Sequence, residues 1–500
     1  MSWLTVRTTG AVAVCGAVLV AASPVFSASA DAANPHAAEA SAAAKWQAGE
    51  LVGGAIPGFS RSDWGLTIDT MMALAATRSQ PAALRAAADA VAANVRTYNS
   101  AEEWGMPGSR IAGATAKVLF AAVVADRDPT GFGGFDLRAE TLDLIAGADA
   151  GDDVGRIRDK LTGSPDSSNA FGQSLAVLGL ARSGGVPQSA VDFLLKQQCP
   201  SGGFRLFPGQ LGSSGATCQD TPTTVLDPDS TAMAVQALLS AAAESHSAGA
   251  ATAAKKGADW LKSKQRADGS FGGSGPTAAS NTNSTGLAGQ ALHAAGYRAE
   301  SERAAVWVAK HQITKDNAGA ADKEIGTIAY NDEALASART DGIPDFQRDQ
   351  WRRATPQALL ALADVSLGDL GKAPTEPTHT TSTSPEPTDS GTPKPTGSPG
   401  HSASTPPSTT PSTALTQTAS ASITASATDT AGAGTGGSGT SGSGSGGGST
   451  SGSGGTANGG GGNLARTGAE IGGLLMLSAG LVGTGFAVRA GARRRNGTHT

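Results

Sequence analysis

Two stretches decide the fold: ADWLKSKQRADGSFGG (258–273) and NTNSTGLAGQALHAAGY (281–297). The first spaces its apolar residues along one helix face and ends in a Gly-rich loop. The second is rich in alanine and apolar on most sides, which predicts a helix that is buried on most sides. Together they predict one helical hairpin, with an amphipathic first helix and a buried second helix.

The same hairpin pattern occurs again along the chain. AVDFLLKQQCPSGGFRLF (190–207) leads into DPDSTAMAVQALLSAAAE (227–244), with the same Gln-to-Phe and Thr-to-Leu spacings. Weaker copies bring the number of units to six, near 37–77, 87–126, 137–184, 188–244, 252–297 and 301–367. Six hairpins that share one architecture predict an all-α fold, an α6/α6 toroid, over residues 31–371.

The loop QRADGSFGG (265–273), followed by a helix that starts with Ser-Thr, resembles the repeat of the terpenoid cyclase and protein prenyltransferase superfamily. That resemblance implies the same toroid. The toroid is also similar to the cobalamin-binding domain of intrinsic factor and to the thioester domain of complement proteins. Fold alone therefore does not choose a function.

The segments around the toroid predict export. Residues 1–30 have the form of a signal peptide, with Arg7 before the short apolar run 11–22 and a small-residue cleavage site at Ala28 to Ala30. Residues 372–462 are rich in Pro, Thr and Ser and then in Gly and Ser, which predicts a disordered stalk.

Residues 463–500 resemble the cell-wall sorting signal of Gram-positive surface proteins, in the form used by class E sortases of actinobacteria. An apolar stretch, 471–488, is just long enough to span a membrane and precedes a basic tail. The resemblance implies a sortase and peptidoglycan as partners, with membrane anchoring by the C-terminal helix before sorting. The motif residues are Leu464, Ala465, Arg466, Thr467 and Gly468.

Charge and cysteine content limit the function further. The net charge of −5 comes without a basic stripe, which argues against nucleic acid as a partner. Once the signal peptide is removed, Cys199 and Cys218 remain, and an even pair in an exported chain predicts a disulfide.

Asp227 and Asp229 in LDPDSTA are the candidate catalytic residues. The stretch resembles the Asp-x-Asp-Asp motif of class II terpene cyclases, although Ser230 replaces the last acid. The resemblance implies that Asp229 gives a proton to a double bond, with Asp227 as its partner. Two close carboxyls raise one another's pKa, so one of them can stay protonated near neutral pH.

Helix capping is the competing interpretation of these acids. In our alignment Asn169, Asp229 and Asn283 share one position of the repeat, and Asp and Asn are favoured N-caps. A ring needs a cap at every inner helix but a catalytic acid only once. The repetition therefore favours capping, and the scarcity of aromatic residues argues against a carbocation pocket.

Other chemistries lack their residues. No cysteine stands on an inner helix to ligate zinc as in prenyltransferases, no thioester motif is present, and no Gly-rich loop follows a strand. We therefore predict no metal and no cofactor, and the sequence favours a non-catalytic toroid that binds a small molecule, a glycan or a protein. A cyclase- or lyase-like enzyme that uses the Asp227/Asp229 pair remains the alternative. The candidate ligand-binding residues are Trp64, Asp69, Trp104, Asn169, Phe204, Asp229, Phe271 and Asn283.

Overall fold

The computed structural model describes residues 34–209 and 215–372. The predicted signal peptide, the stalk after Lys372 and the sorting signal lie outside the described residues. None of the helices within the described ranges is both long and apolar enough to cross a membrane. The α-helices of this part are α1 (Ala37–Gly49), α2 (Trp64–Thr77), α3 (Pro81–Ala92), α4 (Val95–Asn99), α5 (Ala112–Val124), α6 (Leu137–Asp143), α7 (Ala170–Ala181), α8 (Gln188–Lys196), α9 (Pro228–Ser245), α10 (Ala248–Lys264), α11 (Thr282–Ala294), α12 (Arg298–Lys310), α13 (Asp332–Asp341) and α14 (Arg348–Leu362).

Six of these helices close into an inner ring. α2 packs against α5, α5 against α7, α7 against α9, α9 against α11, and α11 against α14, which returns to α2. Their side chains are buried almost throughout; in α5 every residue except Val123 is buried. A helix that is apolar on all sides is stable only where neighbours cover all of its sides. The predicted all-α toroid is therefore confirmed.

The outer layer consists of α1, α3, α6, α8, α10 and α12. Each outer helix packs against the inner helix of its own unit and against the preceding inner helix. The amphipathic pattern explains this placement. In α10, Ala254, Ala258 and Leu261 are buried at helical spacing, whereas Lys255 and Lys256 are exposed.

A threonine near the start of an inner helix holds the loop that precedes it. Thr231 Oγ1 accepts a hydrogen bond from the Phe204 amide at 2.9 Å, and Thr285 Oγ1 accepts one from the Phe271 amide at 2.9 Å. Two further units use Thr67 with Ile56 and Thr355 with Ile328. In these four units the threonine therefore fixes the loop to its inner helix.

A C-terminal tail, residues 363–372, crosses the end of the ring where the inner helices finish. Gln290 of α11 donates to the Val365 carbonyl at 2.8 Å, and Gln236 of α9 accepts from the Leu367 amide at 2.7 Å. The Lys372 carbonyl accepts a hydrogen bond from the guanidinium of Arg78, the C-cap of α2. The tail therefore straps several inner helices together at this end.

Cys199 and Cys218 form the predicted disulfide, with both residues buried. The bond joins the loop that follows α8 to the segment that precedes α9. The Cys218 amide also donates to the Lys196 carbonyl at 2.8 Å. The long loop of the fourth unit is therefore anchored covalently to the end of its outer helix.

We expect Thr285→Val to destabilise the fold. The substitution keeps the shape of the side chain but leaves the buried Phe271 amide without its acceptor. An unpaired buried donor costs about 1–3 kcal/mol in the free energy of unfolding, measurable by chemical denaturation. Thr340→Val is the matched control, because the Thr340 hydroxyl is exposed. Equal denaturation midpoints for the two variants would contradict this role of Thr285.

Candidate functional site

The first turns of neighbouring inner helices meet at one end of the ring. The Ser284 hydroxyl of α11 lowers the pKa of Asp229 of α9, and Asn283 donates to Gln357 Oε1 of α14 at 2.7 Å. We call this end the N-terminal mouth. It consists of the first turns of α2, α9 and α11 and the segment of α14 around Arg353. It lies opposite the C-terminal tail, and it gathers polar side chains from different units.

Asp227 is the N-cap of α9. Its Oδ1 accepts from the Ser230 amide at 2.6 Å and from the Ser230 hydroxyl at 2.7 Å. Its Oδ2 accepts from Ser274 Oγ at 2.6 Å. Three donors directed at one buried carboxylate stabilise its negative charge. Asp227 therefore joins the start of α9 to the loop of the fifth unit.

Asp229 lies in the first turn of α9 and is 2 % exposed. Burial raises the pKa of Asp229 from 3.8 to about 8, the negative charge of Asp227 raises it as well, and the hydrogen bond with Ser284 offsets part of the rise. The carboxyl therefore carries its proton at neutral pH. A protonated acid beside a hydrogen-bonded carboxylate is an arrangement suited to proton donation.

The capping interpretation of Asp229 is wrong. Asn169 does cap α7, but its counterpart in α9 is Asp227, so Asp229 lies two residues inside the helix. In α9 and α11 the threonine that holds the loop lies four residues after the cap, at Thr231 and Thr285. The residue four after the cap in α7 is Gln173, whose Oε1 accepts from a loop amide at 2.9 Å, as the threonines do.

The loop between Phe271 and Asn281 covers the two acids. A Cβ atom at Gly273 would lie 2.9 Å from the nearer Asp229 oxygen, so only glycine lets the backbone approach this closely. The loop is held shut by the hydrogen bond from Ser274 to Asp227. Contact between a ligand and Asp229 therefore requires this loop to move.

Asp69 forms a buried ion pair at the same end of the ring. Lys117 Nζ lies 2.6 Å from Asp69 Oδ1, and both side chains are fully buried. Burial raises the pKa of Asp69 and lowers the pKa of Lys117, while their mutual attraction acts against both shifts. The pair joins α2 to α5, so the Asp69 carboxylate already has a partner within the protein.

The remaining candidate residues lie in different surroundings. Trp64 and Trp104 line one open cleft of about 320 Å³ beside the mouth. Phe204 and Phe271 are buried in the core, where each loop packs against its inner helix. Asn169 is occupied as a cap. The structure thus brings Asp227, Asp229 and Asn283 to the mouth and leaves both phenylalanines out of reach of solvent.

Sequence reasoning overlooked three residues of this region. Lys117 stands alone among apolar and small residues in AGATAKVLFAAVV, and that isolation was a usable signal for a buried charge. Arg353 donates to Asp63 Oδ2 at 2.6 Å and thereby ties α14 to the cap of α2. Ser274 gave no signal, because its contact with Asp227 depends on the path of a loop from another unit.

No protein-family model matches the chain, and no curated protein matches it. Among solved structures, it is similar to a protein from Actinoplanes, with 17 % identity, a TM-score of 0.44, and coverage of 66 % of this chain and 99 % of that one. A heparin-specific unsaturated glucuronyl hydrolase has 12 % identity, a TM-score of 0.45 and coverage of 66 % and 95 %. The unsaturated glucuronyl hydrolase of Bacillus sp. GL1 has 11 % identity, a TM-score of 0.41 and coverage of 61 % and 90 %.

The expectation of a non-catalytic toroid is corrected. Two of the similar structures named above are hydrolases. A capping role for Asp229 was the main reason to expect no catalysis. The cap is Asp227, so Asp229 is not committed to that role. The pair is divided between one structural and one protonated carboxyl, as acid catalysis requires.

The pH dependence of stability tests the protonated state of Asp229. The folded chain keeps this proton up to about pH 8, whereas the unfolded chain releases it near 3.8. The stabilising contribution is therefore complete below the unfolded pKa and is lost as the pH rises through the folded pKa. We expect the free energy of unfolding of the wild type, relative to Asp229→Asn, to fall over this range.

Chemical denaturation at a series of pH values measures this difference. Asp192→Asn is the control, because Asp192 is exposed on α8 and its loss should leave the wild-type pH profile unchanged. Superimposable pH profiles for the wild type and Asp229→Asn would show that Asp229 is ionised in the folded chain.

Proposed function

We propose that this chain is a surface enzyme in which Asp229 protonates the carbon–carbon double bond of an unsaturated sugar. The observation that carries the proposal is the buried, protonated Asp229 carboxyl next to the hydrogen-bonded carboxylate of Asp227. General acids work best when their pKa lies near the working pH, and Asp229 meets that condition.

The proposed reaction is the addition of water. The Asp229 O–H bond breaks as the π electrons of the double bond take the proton and form a C–H bond. The neighbouring carbon, next to the ring oxygen, becomes positively charged, and the carboxylate now present on Asp229 stabilises that charge. Water adds to this carbon and loses a proton, which restores the acid. No cofactor or metal enters this reaction.

Asp227 has a positioning role in this scheme. Its negative charge helps to keep Asp229 protonated, and its hydrogen bond with Ser274 controls the loop over Asp229. Opening of the loop breaks that hydrogen bond and lets the substrate reach the acid. Closure over the substrate then excludes bulk water, which strengthens electrostatic interactions within the site.

A sugar is the substrate class that fits the predicted location. The predicted export places the toroid where glycans are abundant, whereas the isoprenoid substrates of cyclases are found in membranes. Two of the similar structures are unsaturated glucuronyl hydrolases, so unsaturated glucuronyl sugars are the first compounds to test.

Loss of the ultraviolet absorbance of unsaturated oligosaccharides measures the activity. We expect Asp229→Asn to lower the rate by about 10²- to 10⁴-fold, because the amide cannot donate a proton as the acid does. Asp192→Asn, which changes an exposed acid outside the mouth, should keep the wild-type rate. Turnover by Asp229→Asn at the wild-type rate, or none by the wild type, would contradict the proposal.

We further propose that the enzyme is exported and attached to the cell wall. The sorting motif around Thr467 supports this, with a class E sortase as the partner that joins Thr467 to peptidoglycan and the apolar stretch 471–488 as the transient membrane anchor. The toroid would then act on glycans at the cell surface.

Replacement of Thr467 with alanine tests the attachment. We expect the wild type to be released only by wall-digesting enzymes and to end at Thr467, as mass spectrometry would show. The Thr467→Ala variant should remain in the membrane fraction, because sortase cleavage needs the threonine. Recovery of the intact wild-type chain from membranes would rule out wall attachment.

A further inference from the structure

An aromatic cleft lies beside the N-terminal mouth, between the first and second units. Phe59 and Trp64 line it from the first unit, and Tyr98 and Trp104 line it from the second. Arg353 of α14 completes the lining, and the cleft measures about 320 Å³. The site is separate from Asp229, which is buried under the loop of the fifth unit.

The concentration of aromatic rings in this cleft is unusual for the chain. The whole sequence contains 7 Trp, 3 Tyr and 12 Phe, and four of these side chains line one cleft. Phe59 is fully exposed and Trp104 is 41 % exposed. Large apolar side chains that folding leaves in contact with water, grouped at a concave surface, mark a binding site.

The charged groups of the cleft are already paired. Arg61 Nη1 lies 2.8 Å from Glu103 Oε2, and its guanidinium lies 5.8 Å from the centre of the Trp104 ring. Arg353 pairs with Asp63 at 2.6 Å and with Asp349 at 2.8 Å. These pairs set two guanidinium groups against three carboxylates, so an anionic ligand would meet no excess of positive charge. Hydroxyl groups, which both donate and accept, can instead join the pairs without displacing either partner.

We infer that this cleft binds neutral polysaccharide. The C–H faces of a pyranose ring pack against the exposed rings of Trp104 and Phe59, and its hydroxyls hydrogen-bond to the Arg61–Glu103 pair. A purely apolar ligand would remove the exposed Arg61–Glu103 pair from water without offering it a hydrogen bond, which is unfavourable. The cleft is open, so a long chain can pass through it. This inference does not depend on catalysis by Asp229.

Electrophoresis of the full chain through gels that contain a soluble polysaccharide tests the inference. The neutral probes are β-glucan, xyloglucan, galactomannan and amylopectin, and hyaluronan is the anionic probe. We expect at least one neutral polysaccharide to slow the protein and hyaluronan to have no effect. Trp104→Ala should weaken the binding by about 3- to 10-fold through loss of ring stacking.

Three variants make the result decisive. Phe59→Ala should also weaken binding, and because Phe59 is fully exposed its loss cannot act through the core. Phe346→Ala, at an exposed phenylalanine outside the cleft, should bind as the wild type does. Asp229→Asn should bind normally even where turnover is lost, so the two proposals fail separately. No retardation by any neutral probe, or full retardation of Trp104→Ala and Phe59→Ala, would overturn the inference.

Discussion

One hydrogen bond organises the ring: a loop amide donates to a hydroxyl near the start of an inner helix. A threonine can accept it because its own hydroxyl proton is directed back to the helix, as Thr231 donates to the Asp227 carbonyl at 2.8 Å. The loop amide would otherwise be buried without a partner, at a cost of about 1–3 kcal/mol per unit. In the four units that have this threonine, the bond fixes the loop over the first turn of its inner helix. The contacts of the mouth, including that between Ser274 and Asp227, follow from this placement.

The protonation of Asp229 shows which of two opposing effects dominates. A helix N-terminus attracts negative charge, but only by about 0.3–1 kcal/mol, which is less than one pKa unit. Burial and the neighbouring charge of Asp227 act in the other direction and raise the pKa to about 8. Asp227, not Asp229, occupies the cap and accepts the hydrogen bond from the Ser230 amide. Two acids of one short motif thus have different roles, because Asp227 caps the helix and Asp229 keeps its proton.

The sequence predicts the fold better than the site, for physical reasons. Helical periodicity and the Thr spacing are local, so the hairpins and the disulfide could be found without coordinates. The alignment of the third unit with the others could not be found in this way. Gln173 stands in place of the threonine, and its longer side chain accepts the hydrogen bond from the loop amide of Ile157. The cleft could be found only in part. Trp64 and Trp104 were candidates, but Phe59 and Tyr98 join them through loop conformations that no local pattern specifies.

The C-terminal tail makes the two ends of the ring different, because it covers only the end where the inner helices finish. Its path from Val365 to Lys372 runs across the ends of the inner helices, so the described chain leaves the toroid at the end opposite the mouth. A pull applied beyond Lys372 would reach the molecule through this strap and draw that end of the ring toward the point of attachment. The mouth and the aromatic cleft lie at the opposite end of the ring. Tension applied to the C-terminal tail would therefore be carried by the ends of the inner helices and would not pass through the binding surface.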